Sequence, residues 1–169
     1  MSESKTTRRP RDGRPRLGAR VAAVQALFQS EAGGESAEAV IDQFVRHRIG
    51  DLNNTEEGFE DGRVPLADVP LFAGIVRSVA EHATTLDPVI SSHLGGGWTL
   101  ERLDPVLRAL LRAASAELWR GKEPPGKVVI NEYMDIAHGF FHGEEPRFAN
   151  GVLDALARKL RPDEFSIRH

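Results

Sequence analysis

The second half of this chain is written almost entirely in a helical period, and that periodicity limits the fold more than any other feature. The segment WTLERLDPVLRALLRAASAEL, from Trp98, sets Leu107, Leu110, Leu111, Ala114 and Leu118 on one wide face. Asp104 followed by Pro105 supplies its start signal, and Leu103 can staple the entry. GKVVINEYMDIAHGF, from Gly126, predicts a helix from about Val128 with Ile130, Tyr133, Met134, Ala137 and Phe140 or Phe141 inward. RFANGVLDALARKL predicts another from Arg147 to Leu160, with Phe148, Val152, Leu153 and Leu156 inward and Pro162 as its stop.

The first half follows the same rule. A helix over Arg16 to Ser30 carries Val21, Val24, Leu27 and Phe28, and Gly33 and Gly34 end it. Ser36 or Glu38 starts a second, bearing Val40, Ile41, Phe44 and Val45. A third is expected over Leu66 to Thr84, with Pro70 in its first turn and Leu71, Ile75, Val76 and Val79 buried. Asp87 and Pro88 read as the cap of a short fourth helix through Leu94, before the break at Gly95, Gly96 and Gly97. The only strand-like run, Val128 to Ile130, is too short to compete. The expectation is an all-α fold of about seven helices without internal repeats. It is one domain over residues 16–162, between a disordered basic arm at 1–15 and a tail at 163–169.

Charge divides the chain unevenly. Residues 1–20 hold seven Lys or Arg against Glu3 and Asp12, a net +5, which leaves −8 on the rest. A cationic arm on an anionic body suits a polyanionic partner. Arg8, Arg9, Arg11, Arg14, Arg16 and Arg20 recur at short intervals, so several guanidiniums can align on phosphates. The acidic stretch from Asp51 to Asp61 reads as a loop and a poor RNA contact.

Chemistry is scarce by comparison. Without cysteine there is no disulfide or thiolate, in keeping with a cytoplasmic setting. The N-terminal charges precede no apolar stretch, so they do not read as a secretory signal, and no apolar run nears the ~20 residues that span a bilayer. His138 and His142 could share a helix face, but no HExxH glutamate lies between them, and they read as surface histidines. The glycine triplet has neither the preceding strand nor the Gly-Lys-Ser/Thr of a phosphate loop. Glu132 and Asp135 read as the solvent side of a helix, and Ser115 lacks a nucleophile context. No catalytic set, metal or cofactor is expected. Asn131 and Asn150 read as buried ties between helix ends, and Trp98 and Trp119 as core or junction residues.

The stretches ARVAAVQALF, WTLERLDPVLRALLRAASAEL, KVVINEYMDIA and RFANGVLDALA, in that order and spacing, resemble the NusB family of bacterial transcription antitermination factors. The resemblance covers nearly everything from Arg16 to Leu160. It implies two small helical bundles that bind boxA RNA of ribosomal RNA operon leaders together with the ribosomal protein NusE, alongside other Nus factors and RNA polymerase. By position it implies RNA contacts at Arg14, Arg16, Arg20, Gln25, Phe28, Glu144 and Arg147, with Phe28 where relatives often carry Tyr. It implies partner contacts at Leu107, Arg108 and Arg112, with Leu107 where relatives often carry an acid. Two other readings stay open. One is an orphan targeting domain akin to that of ribosomal RNA cytosine methyltransferases, whose cofactor loop and cysteine this chain lacks. The other is a structural helical homodimer.

Overall fold

The computed structural model describes residues 13–49 and 67–165. The expectations for most of the basic arm, the acidic loop and the end of the tail lie outside the described residues. Within them the chain is all helix: α1 Gly13–Gly33, α2 Ala37–His47, α3 Val69–Ser92, α4 Pro105–Arg120, α5 Gly126–Phe140, α6 Glu145–Leu160 and the single turn α7 Pro162–Phe165. A short 3-10 turn, Leu100–Arg102, leads into α4. No described helix is long and apolar enough to cross a membrane.

Helix α4 holds the fold together. Its N-terminus is capped as the sequence predicts, with the Asp104 carboxylate accepting from the backbone of Val106 at 2.8 Å and Leu107 at 3.2 Å. Every residue from Ala113 to Leu118 is buried, so α4 is covered on all sides rather than on one stripe. α1 and α3 pack on it, with α2 laid against those two, as one bundle, and α5 and α6 as a second. A single continuous core runs through both. α1 enters that core through Ala19, Ala22, Ala23, Val24 and Ala26, all fully buried. Such small side chains let the neighbouring helix axes come close.

Two expected boundaries move. α1 begins at Gly13, because Pro15 falls in its first turn, where a proline costs little. The expected break between two helices falls at His82 (φ −117°, ψ 18°), before Asp87: Asp68 caps the first segment of α3 by accepting from Leu71 at 3.0 Å, and beyond the kink the second runs to Ser92 with Pro88 inside. The Asp87 carboxylate caps nothing; it takes the Arg112 guanidinium at 3.0 and 3.1 Å.

The C-terminal end supplies caps that the local sequence lacks. Pro125 offers α5 no capping side chain, and the Glu164 carboxylate accepts from Gly126 N at 2.7 Å instead. Arg161, just past α6, is buried and donates to the carbonyls of Leu118 at 2.7 Å and Glu117 at 3.2 Å, which covers the open end of α4. It also reaches Pro124 O at 3.0 Å and Glu164 at 2.9 Å. Arg161 and Glu164 thereby lock the α4–α5 junction onto the end of α6.

Candidate nucleic-acid interface

The basic face of α1 is narrower than its sequence implies. Arg14 lies in the first turn of α1, and Arg16 is exposed. Arg20, one turn further, turns inward and is only 2% exposed. Its guanidinium forks onto Glu117 of α4, at 2.6 Å from Nε and 2.9 Å from Nη2. Glu132 of α5 lies 3.5 Å from Nη1. The Tyr133 hydroxyl, fully buried, donates to the same Glu117 carboxylate at 2.7 Å.

Both groups titrate far from neutrality. Burial, and then the Glu117 carboxylate, push the Tyr133 phenol well above its ordinary value. Burial pulls the Arg20 guanidinium down, but the hydrogen bond and charge of Glu117 outweigh it and raise it. Arg20 is therefore a permanent charge spent inside the protein, which corrects the expectation that it meets a phosphate. Sequence reasoning missed Glu117 altogether. The available signal was a glutamate between Ala116 and Leu118 on a wholly apolar face, which must find a cation when buried.

Further along α1, Gln25 and Phe28 line a cleft. The Phe28 ring is 38% exposed and faces an open space of about 540 Å³ shared with Gln29, Arg48, Val106 and Phe140. Phe140, at the end of α5, is also part exposed. The Gln25 Oε1 atom is sealed from solvent with no hydrogen-bond partner among the described residues. Two part-exposed aromatic rings on an open cleft are suited to receive an unstacked base.

Glu144 and Arg147 lie at the start of α6. Both are exposed on a second open cleft of about 740 Å³, with His138, Phe141 and Asn150. Asn131 and Asn150 are exposed rather than buried, so neither ties helix ends together. Trp98 and Trp119 are 47% and 40% exposed, not core. His138 and His142 are both exposed, and no three His, Asp or Glu side chains gather into a metal-ligand set among the described residues.

The expected partner surface is redrawn. Leu107 is 3% exposed and offers nothing to a second protein, because its position on α4 points into the core. Arg108 is held by Glu31 of α1 within 3.1 Å and by the carbonyls of Leu100 and Leu103 at 2.9 and 3.0 Å. Arg112 bridges Asp87 and approaches Glu31 at 3.7 Å. These arginines brace α1, α3 and α4 together. What remains outward among the described residues includes cations, aromatic edges and open clefts suited to binding.

The model of the NusB family matches residues 17–158. The transcription antitermination protein NusB of Granulibacter bethesdensis is 61% identical over 153 residues, covering 90% of this chain and 93% of that one. Its counterpart in Gluconobacter oxydans is 52% identical over 146 residues, covering 86% and 88%. Among solved structures, T. maritima NusB superposes with a TM-score of 0.67 at 27% identity, covering 95% of this chain and 99% of that one. A chain in a crystal structure of a plectonemic RNA supercoil matches with a TM-score of 0.62 at 27% identity, covering 85% and 94%.

Proposed function

The chain belongs to the NusB family, and on that premise we propose that it is a transcription antitermination factor that binds boxA RNA of ribosomal RNA operon leaders jointly with the NusE-type ribosomal protein. In this reading it acts in the cytoplasm, and the complex helps load other Nus factors onto RNA polymerase. The observation that carries it is the outward face of α1. Arg16 is exposed at its start, and the cleft lined by Phe28 and Phe140 lies twelve residues on. At 1.5 Å per residue that separates them by about 18 Å, room for several nucleotides of extended single strand.

Within this interface Arg16, and Arg14 beside it, hold phosphates, while Phe28 receives a base and Gln25 lines the cleft behind it. Glu144 and Arg147 border the RNA from the start of α6. Arg20 serves indirectly by anchoring α1 to α4 and α5. The partner meets exposed groups around α4 rather than Leu107 itself, with Arg108 and Arg112 keeping those helices in register. So small a cationic face binds RNA weakly on its own.

A gel-shift titration of a boxA-type oligoribonucleotide, with and without the ribosomal protein, tests this. Binding should be weak for the protein alone and much tighter with the partner. Equal affinity in both arms removes joint binding, and no binding in either arm removes the RNA reading.

A further inference from the structure

Trp98 is presented to solvent in a way that packing alone does not require. Gly95, Gly96 and Gly97 all hold positive φ, a path closed to ordinary side chains, and Trp98 N donates to Gly95 O at 2.9 Å to close the turn. The indole then rests on Phe148 of α6, ring centroids 6.2 Å apart and tilted by 57°. The Arg102 guanidinium lies 5.7 Å above the ring. With 47% of the residue still exposed, this is a large aromatic surface held in one orientation and left uncovered. A ring fixed in advance loses little entropy when something stacks on it.

The surroundings indicate what stacks there. Phe28 and Phe140 share the first cleft, and the Phe140 and Phe141 rings are 6.4 Å apart. Phe141 and Arg147 share the second cleft, Phe148 follows Arg147, and Trp98 lies against Phe148. Aromatic rings thus stand at the α1 cleft and the end of α5, and a separate pair, Trp98 on Phe148, stands at the glycine turn. Arg102 lies at the Trp98 ring and Arg147 in the second cleft, both exposed and without a carboxylate partner among the described residues. Rings at intervals with free cations beside them match a single strand, which offers a base face and a phosphate at each step.

We propose that Trp98, with Arg102 at its ring, is a stacking platform for an unpaired base of the RNA strand whose other part occupies the Phe28 cleft. This rests on the RNA-binding reading above and extends it to Trp98 and Arg102, which the family resemblance does not supply. It favours nucleic acid over a protein partner because the Arg102 guanidinium remains available for phosphate.

The test uses Trp119→Phe, which leaves Trp98 as the only tryptophan. Its emission is followed while unlabelled boxA-type RNA is added, and binding is measured separately by anisotropy of an end-labelled copy. Stacking should quench Trp98 in step with binding. Trp98→Ala should weaken binding by about tenfold and Trp98→Phe by much less, because any aromatic face retains part of a stack. Arg102→Gln should flatten the salt dependence by about 0.7 in log–log slope. RNA binding with unchanged Trp98 emission overturns the proposal alone. Emission that changes only when the ribosomal protein is added assigns Trp98 to a protein contact and also overturns it. No RNA binding by either method, with or without the ribosomal protein, overturns both this and the reading beneath it.

Discussion

Replacing Arg20 with Ala should unfold the protein more readily without changing how its RNA affinity responds to salt. The substitution leaves the Glu117 carboxylate buried between α1, α4 and α5, with Tyr133 as its only close donor. Removing one partner of a buried ion pair costs about 3–5 kcal/mol, mostly from the stranded charge. At about 2–4 °C per kcal/mol for a chain of this size, the melting temperature should fall by roughly 6–20 °C. The double variant Arg20→Met with Glu117→Leu, which strands no charge, should recover most of the loss. Arg16→Ala is the counterpart. It should leave the melting curve alone and lower the log–log salt slope of RNA binding by about 0.7, one single-strand phosphate contact. Thermal melts by circular dichroism and binding isotherms at several salt concentrations separate the two roles. The reasoning fails if Arg20→Ala melts like the parent and lowers the salt slope as Arg16→Ala is expected to, since Arg20 would then face the RNA.

Three further substitutions probe the same framework. Tyr133→Phe should cost about 1.5–3 kcal/mol, the range for a hydrogen bond to a charged group. Because burial raises the phenol above 10.0 in the folded state, its contribution is complete below the unfolded value and declines as pH rises from about 10. Chemical denaturation across alkaline pH should show that decline in the parent and lose it in the variant. Leu107→Glu, which restores the acid that relatives often carry, should destabilise the fold by several kcal/mol instead of tightening partner binding. A variant with an unchanged denaturation midpoint would mean that position 107 is surface. Glu164 is held below its ordinary value by the Gly126 amide, then by Arg161, so its contribution is complete above about 4.5 and is lost as pH falls through the lower folded value. Glu164→Gln should therefore flatten the acid limb of the stability curve, and an identical limb would remove that cap from the account.

Helix positions were legible because capping and periodicity are local. Asp104 and Ser36 each cap the helix that follows, and most apolar positions of α4, α5 and α6 fall inward as their spacing requires, with Phe140 left 37% exposed. Asp87 shows the limit. Asp-Pro is a sound local start signal, but a two-pronged bond to Arg112 twenty-five residues away gives that carboxylate a different use. The binding face failed for a related reason. Arg16 and Arg20 look alike in sequence and share one face of α1, yet Arg20 packs against Glu117 of α4 and Glu132 of α5 while Arg16 stays exposed, so one is enclosed and the other solvated. Glu117, Arg161 and Glu164 were overlooked because their partners lie across the fold, and only tertiary packing pairs them. The same holds for Leu107, which family position marks for a partner and which burial withdraws.

The central claim is that RNA lies along the outward face of α1 and over the end of α5. Ultraviolet cross-linking of a boxA-type RNA to the protein with its ribosomal partner, followed by mass spectrometry of the linked peptides, tests it directly. The account predicts cross-links within residues 14–29 and 140–148, with Phe28 and Phe140 among the linked positions. Cross-links confined to α2 and α3, with those segments unmodified, would place the RNA on another face and contradict it.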